Sequence, residues 1–307
     1  MDSLRRGANA SEPRRFSARL SGGALAAEYR EVVSALRRCE PVARRFDPGP
    51  FSAELIEAAR NWWGKMMTTE YESSSVFVDL ALQMREIDAP LDVQTAVLRM
   101  AQEELHHADL CGSALEALGA EGTIPAPPVL RLATHPDCTI DESVLRNVIY
   151  CCCLGETVNA ARLAKRIGDT KDPFIRETFR QLAADERFHA QFGFQYLETR
   201  REWLAERENV QRSLGHYLRY AFACLEQHMG ANPVDARAPT DEQRAIGLPD
   251  LTDLSATFQE TMLNVCIPGL QRFGIAASAA WRTRTAAESP NLQPDDGPAF
   301  AVNLPIK

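Results

Sequence analysis

Apolar residues recur at helical spacing through most of the middle of the chain. The first series spans 51–87 and comprises Leu55, Ala58, Trp62, Met66, Phe77, Leu80 and Met84. Three further stretches, 92–118, 141–167 and 172–205, follow the same period, which is typical of amphipathic helices. No stretch alternates apolar and polar residues as a half-buried strand would. The pattern therefore predicts an all-α protein.

The segments between these helices are alternately short and long. Asp88-Ala89-Pro90 is a short turn, whereas 120–140 is a long connection that contains four prolines. Asp141 is a plausible N-cap for the third helix, and Asp172-Pro173 starts the fourth with a cap residue and a proline at the first helical position. The order of hairpin, long crossover and hairpin predicts a four-helix bundle of the ferritin-like kind.

The flanking regions carry weaker patterns. We predict a disordered tail at 1–23, a helical bundle at 24–230 with its core at 51–205, and a disordered tail at 286–307. A fifth helix is expected at 208–229 and a loop at 231–250. Apolar periodicity returns weakly over 251–280. A C-terminal helical extension over 231–285 is therefore expected to pack on the bundle.

Two short segments of the second and fourth predicted helices are nearly alike. One is Glu-Glu-Leu-His-His-Ala at 103–108, and the other is Asp-Glu-Arg-Phe-His-Ala at 185–190. Residues three apart share a helix face, so Glu104 can point with His107 and Glu186 with His189. A carboxylate and an imidazole directed at one buried point form half of a transition-metal site. Two such halves suggest a pair of metal ions.

The other two predicted helices each carry one glutamate in the middle of the apolar face, Glu70 and Glu156. A carboxylate buried on an apolar face is costly unless it is paired or bound to metal. Four helices thus present four carboxylates and two imidazoles to one core. One Glu from each of two helices and Glu-x-x-His from each of the others is the di-metal pattern of helix bundles.

In these residues and their order, 51–205 resembles the ferritin-like di-iron carboxylate superfamily. The ligand set that the resemblance implies is Glu70, Glu104, His107, Glu156, Glu186 and His189. Glu104 and Glu186 would bridge the two metals. Glu70 and His107 would complete one metal, and Glu156 and His189 the other.

Residues beside the ligands raise two further expectations. Glu103 and Asp185 precede the motif glutamates and lie four residues before His107 and His189. By the resemblance, such acids orient a ring nitrogen of the ligand. Glu103-x-x-His106 also matches the motif. We prefer the register Glu104/His107 because it aligns with the second motif through the flanking acid and alanine, and we interpret His106 as a bystander or a supporting group.

Oxygen-rich ligands with two imidazoles suit two Fe ions, or a Mn/Fe pair, better than copper or zinc. The resemblance implies an oxidase or oxygenase that uses O₂ and acts on a small organic substrate. The N-oxygenases of the superfamily carry an extra His where this chain has Leu182, which weakens that subclass. Alternatives are a ferroxidase or iron-storage protein and a non-catalytic metal-binding bundle. No flavin motif, Gly-rich dinucleotide loop or Fe–S cysteine set is visible, so an external ferredoxin or reductase is expected as electron donor.

The composition of the chain gives expectations about its partners and its cellular location. The net charge of −8 argues against nucleic acid and anionic membranes as partners. No apolar run approaches the ~18 residues that a membrane helix needs. The eight cysteines lack a CxxC pair, and we interpret them, including the consecutive Cys151–Cys153, as buried, reduced thiols of a cytoplasmic protein. Bundles of this type often self-associate, so a homodimer is an open expectation.

Overall fold

The computed structural model describes residues 15–17, 20, 23–36, 45–230 and 240–284, and this part of the chain is mostly helical. The all-α prediction is confirmed at the level of the fold class. The helices are α1 (Gly23–Leu36), α2 (Ala53–Glu86), α3 (Leu91–Ala117), α4 (Ile140–Val148), α5 (Thr157–Asp169), α6 (Pro173–Thr199), α7 (Arg201–Ala205), α8 (Glu208–Leu225), α9 (Asp241–Ala245), α10 (Leu251–Thr261), α11 (Ile267–Gln271) and α12 (Ala277–Arg282). Three π-helical segments join some of them: π1 (Ile149–Glu156), π2 (Glu226–Gly230) and π3 (Met262–Cys266).

The first two long helices form a hairpin, as the apolar pattern predicted. The Ser52 side chain accepts a hydrogen bond from the Leu55 amide at 3.2 Å and caps the start of α2. After α2 the chain turns at Asp88, whose φ is 50°, and α3 begins directly after Pro90. α2 packs more extensively against α3 than against any other described element.

The third predicted helix is one continuous helical rod with a π-helical middle. α4, π1 and α5 follow one another without a gap, so the expectation of a regular helix over 141–167 is wrong in its centre. The expected cap Asp141 lies inside the first turn, and Thr139 accepts from the Glu142 amide instead. A π-turn adds one residue per turn. The pattern does not reveal it because every residue of π1 is buried.

The fourth long helix starts where the sequence predicted. Asp172 caps α6 by accepting from the Ile175 amide at 2.9 Å, and Pro173 is the first helical residue. The predicted helix at 172–205 is interrupted at Arg200, which separates α6 from α7. The expected fifth helix at 208–229 corresponds to α8 and π2.

Several short elements were not predicted. β1 (Arg15–Ser17) pairs antiparallel with β2 (Thr123–Pro125), so three residues of the expected tail form a strand. α1 and the short α9 were also missed, because α1 buries only a narrow face and α9 falls in the expected loop. Residues 1–14, 18–19, 21–22, 37–44, 231–239 and 285–307, with the predictions made for them, Cys39 included, lie outside the described residues. In the C-terminal part, α10 packs against α5, and α12 packs against α8.

The apolar core consists of two clusters. On α2, one cluster ends at Met67 and the other begins at Val76; on α3, the change falls between Ala101 and Leu110. On α6 the change falls between Ala183 and Phe192, and on α5 between Val158 and Leu163, so the two clusters are separated along α2, α3, α5 and α6. Within 58–67 the fully buried residues are Ala59, Trp63 and Met67, one position later than the predicted series.

No helix among the described residues combines the length and the hydropathy needed to cross a membrane.

Candidate metal centre

All six predicted ligands lie at the boundary between the two apolar clusters. Five lie between the clusters on α2, α3 and α6, and Glu156 lies within one cluster, between Leu154 and Val158. α2 contributes Glu70, α3 contributes Glu104 and His107, the end of π1 contributes Glu156, and α6 contributes Glu186 and His189. Every one of these side chains is buried, with Glu70 the most exposed at 8%. The helical spacing of the sequence therefore brings the side chains to one place, as expected.

The six residues form two overlapping groups whose candidate ligand atoms all lie within 4.8 Å of one another. One group consists of Glu70, Glu104, His107 and Glu186, and the other of Glu104, Glu156, Glu186 and His189. Glu104 and Glu186 belong to both. This is the division that the resemblance implied, with two shared carboxylates and one further carboxylate and one imidazole on each side.

The two shared carboxylates each direct one oxygen at each imidazole. Glu104 Oε1 lies 3.2 Å from His189 Nδ1, and its Oε2 lies 3.7 Å from His107 Nδ1. Glu186 Oε1 lies 3.6 Å from His107 Nδ1, and its Oε2 lies 3.6 Å from His189 Nδ1. Glu70 Oε2 approaches His107 Nδ1 to 3.4 Å. The Nδ1 atoms therefore face the centre of the site.

The Nε2 atom of each imidazole contacts the acidic residue of the other motif, which lies on the other helix. Glu103 Oε2 on α3 lies 3.0 Å from His189 Nε2 on α6, while Asp185 Oδ2 on α6 lies 3.3 Å from His107 Nε2 on α3. Each acid therefore contacts a ring nitrogen of a predicted ligand, but the ligand belongs to the other motif and not to its own. An ionised carboxylate only accepts, so each Nε2 donates its hydrogen and Nδ1 is the atom available to a metal. Arg99 Nε, 2.9 Å from Glu103 Oε1, holds the far side of that carboxylate.

The pKa values of the predicted ligands are shifted by burial and by the charges of the neighbouring ligands. Burial raises the pKa of Glu70 to about 8, with further contributions from neighbouring carboxylates. Burial also opposes ionisation of Glu104, but the neighbouring imidazoles of His107 and His189 outweigh it and lower its pKa to about 2. Burial opposes the charge on His107, yet contacts with Glu104 and Glu70 raise its pKa to about 10. Without a metal, protons on the imidazoles thus balance the carboxylates.

The donor atoms fit a pair of cations. Atoms that are buried and lack a hydrogen-bond partner include both oxygens of Glu104, Nδ1 of His107 and of His189, and Oε2 of Glu156 and of Glu186. Buried polar atoms are almost always satisfied in folded proteins, so this concentration of unsatisfied ligand atoms at one point is informative. Carboxylate oxygens with one imidazole for each ion are ligands that suit iron or manganese.

The remaining candidates lie outside both ligand groups. His106 is buried, with Nδ1 3.9 Å from Asp109 Oδ2, and belongs to neither ligand group. Cys151, Cys152 and Cys153 are buried free thiols in π1, which agrees with a packing role. They pack closely against α6, as the space at Gly193 shows: a Cβ atom there would lie 2.8 Å from Cys153 Sγ.

A pocket of about 620 Å³, its open mouth included, reaches the site from one side. Glu70 and Glu186 are part of its wall. The half-buried Met66 lines it one turn before Glu70, and the half-buried Trp62 lines it two turns before Glu70. Arg162 and Arg166 also line the pocket, and they were not identified from the sequence. Their spacing after Glu156 along α5 was the available signal.

Comparison of the chain with protein-family models, with curated proteins and with solved structures found no match in any of the three.

Proposed function

We propose that this protein is a ferritin-like non-haem oxidase or oxygenase that uses O₂ and holds two Fe ions, or a Mn/Fe pair. The observation that carries the proposal is the pair of ligand groups that share Glu104 and Glu186. Glu104 and Glu186 would each serve both metals, which could then act together on one small molecule. Six ligands from four helical rods agree with the di-metal pattern of such bundles.

The arrangement of the rods supports the ferritin-like assignment. α2 and α3 are joined by a short turn, α5 and α6 by another, and the long connection 118–139 runs between the two hairpins. α5 packs along α6, and α3 also contacts α6. This is the hairpin, crossover and hairpin order of ferritin-like folds.

Two reduced metal ions at this position would supply electrons for the activation of O₂. The protein's part is to hold six ligand side chains at the boundary between two apolar clusters, which shelters a reactive centre from water. Glu103 and Asp185 fix the imidazoles, and the pocket brings an organic molecule to the Glu70 and Glu186 side. This pocket favours a small organic substrate over simple iron storage. An external ferredoxin or reductase would supply electrons for repeated turnover.

The proposal is tested by anaerobic titration of the metal-free chain with Fe²⁺. We expect about two Fe per chain, followed by O₂ consumption that increases when a substrate is present. Glu104→Gln removes a ligand shared by both groups and should abolish tight binding of the pair. Glu116→Gln, an exposed site on the same helix, is the matched control and should bind normally.

Three results would change the conclusion. A stoichiometry near zero in the wild type would refute the metal site. Continuous oxidation of Fe²⁺ into a mineral core, without any organic substrate, would identify a ferroxidase. Full binding of two Fe by Glu104→Gln would show that the shared ligands are misplaced.

A further inference from the structure

Two arginines in the wall of the pocket have no acidic partner in the part of the chain that the structure describes. Arg162 and Arg166 lie one turn apart on α5, and both line the pocket that reaches Glu70 and Glu186. Arg162 Nη2 donates to the carbonyl oxygens of Met229 and Leu254, and Arg166 Nη1 contacts Met66 Sδ at 3.7 Å. Among the described residues neither guanidinium forms an ion pair. The Nε atom of each is buried and has no hydrogen-bond partner.

The charges of both arginines are poorly compensated. Burial lowers the pKa of Arg162 to about 10 and that of Arg166 to about 9, and the charge on Arg162 contributes to the second shift. Two acids that line a second pocket with these arginines have partners of their own. Asp253 Oδ1 accepts from Lys165 at 2.7 Å, and Asp250 Oδ2 accepts from Arg244 at 3.1 Å. Buried charges are normally paired, and the described residues supply no anion for these two arginines.

The guanidinium groups are positioned for an anion inside the pocket. Arg166 stacks on the Trp62 ring, with its Cζ atom 4.4 Å from the ring centroid, which fixes the plane of its donors. Side chains on a helix lean toward its N-terminus, and for α5 that direction leads back toward Glu156. At about 1.5 Å per residue, Arg162 lies about 9 Å along the helix axis from Glu156. The pocket wall contains the apolar side chains of Trp62, Met66 and Leu163 and the polar side chain of Asn159.

We infer that Arg162 and Arg166 bind the oxyanionic group of a small, largely apolar substrate and direct its opposite end toward Glu70 and Glu186. A carboxylate or a phosphate ester matches the planar donor fork of arginine in two parallel hydrogen bonds. The inference deepens the proposed function because it names the substrate class of the same site. The anion site itself needs no metal, so its test is independent of iron.

The test is calorimetric titration of the metal-free full chain with eight-carbon ligands. Octanoate and phenylacetate are the carboxylate probes, octyl phosphate is the phosphate probe, and octan-1-ol and 2-phenylethanol are the neutral counterparts. We expect at least one acid to bind at least about tenfold more tightly than its alcohol, because charge-assisted hydrogen bonds are lost in the alcohol. Binding of octyl phosphate alone would assign the anion as a phosphate.

Variants assign the effect to the two arginines. Arg162→Gln and Arg166→Gln should each weaken acid binding about tenfold or more. Lys165→Gln is the matched control, because Lys165 lies on the same helix but is not part of the pocket wall, and it should leave binding unchanged. If Arg166→Gln does not fold, Arg166→Lys keeps the charge without the fork and should still weaken binding.

Failure of this inference differs from failure of the proposed function. The inference is overturned if no acid binds, if acids and alcohols bind equally, or if the Lys165 variant weakens binding as much as the arginine variants. Iron stoichiometry is measured on the same samples and should be equal in all of them, because both arginines lie outside the ligand groups. Arginine-dependent acid binding without iron binding would leave the anion site standing and refute the metal enzyme.

Discussion

The contact of each imidazole with the acidic residue of the other motif makes a specific prediction for Glu103→Gln. The substitution keeps the shape of the side chain but removes the charge that faces His189 Nε2 at 3.0 Å, and both side chains are fully buried. At an effective dielectric constant of about 20, opposite unit charges at this distance attract by about 5.5 kcal/mol. The desolvation of both groups offsets part of this attraction. Glutamine still accepts a hydrogen bond, so we expect a measured loss of about 1–3 kcal/mol in the free energy of unfolding.

The assay is a pair of double-mutant cycles on the metal-free protein, measured by urea unfolding. Glu103→Gln is combined with His189→Gln in one cycle and with His107→Gln in the other. We expect a coupling energy of about 1–3 kcal/mol with His189 and a clearly smaller one with His107, since the first pair is in direct contact. Arg99→Gln is the control for the other partner of Glu103, and the partial exposure of Arg99 limits its effect to about 1 kcal/mol.

Metal binding provides an independent check on the same carboxylate. Loss of a carboxylate that orients a ligand typically weakens metal affinity about 10- to 100-fold. We expect Glu103→Gln to do so in an anaerobic Fe²⁺ titration. Equal coupling to both histidines together with unchanged metal affinity would refute this pairing between the motifs.

Three further predictions concern other parts of the molecule. Gly193 lies one turn after His189, and Gly193→Ala would place a new Cβ 2.8 Å from Cys153 Sγ. We expect the substitution to lower the free energy of unfolding by more than about 1 kcal/mol and to weaken metal binding. Urea unfolding measures the first effect and calorimetry the second, and normal stability would contradict the close packing. Asp172→Ala should destabilise the protein by about 1 kcal/mol through loss of the α6 cap, whereas Asp172→Asn should retain most of the stability, as thermal unfolding would show. Burial lowers the pKa of His135 in the folded protein. Below pH about 6.5 the unfolded chain therefore binds more protons at this residue than the folded protein does. The stability that His135 contributes is lost as the pH falls from about 6.5 through the folded pKa. His135→Asn tolerates the φ of 45° at this position and should reduce the difference in unfolding free energy between pH 7.5 and 5.5; an identical difference in both proteins would contradict the assignment.

Much of the helical layout could be predicted because long helices leave a strong periodic pattern. α2, α3 and the start of α6 fall within two residues of the predicted positions. The shorter elements could not be predicted on the same basis. α1 buries little more than Ala26 and Val33, and β1 exists only through its pairing with β2, which lies more than one hundred residues away in the chain. A pattern within one segment carries no information about such a distant partner.

The sequence by itself determined which side chains can meet. The i, i+3 spacing within each motif and the single glutamates on two apolar faces depend only on the geometry of one helix, so Glu70 and Glu156 could be named with the two motifs. Tertiary structure decided which groups face each other across helices. It paired Glu103 with His189, made the middle of the third rod a π-helix, and enclosed Arg162 and Arg166 in the pocket beside the site. These outcomes depend on the rotation and register of packed helices, which arise from contacts between distant segments rather than from the period of any one of them.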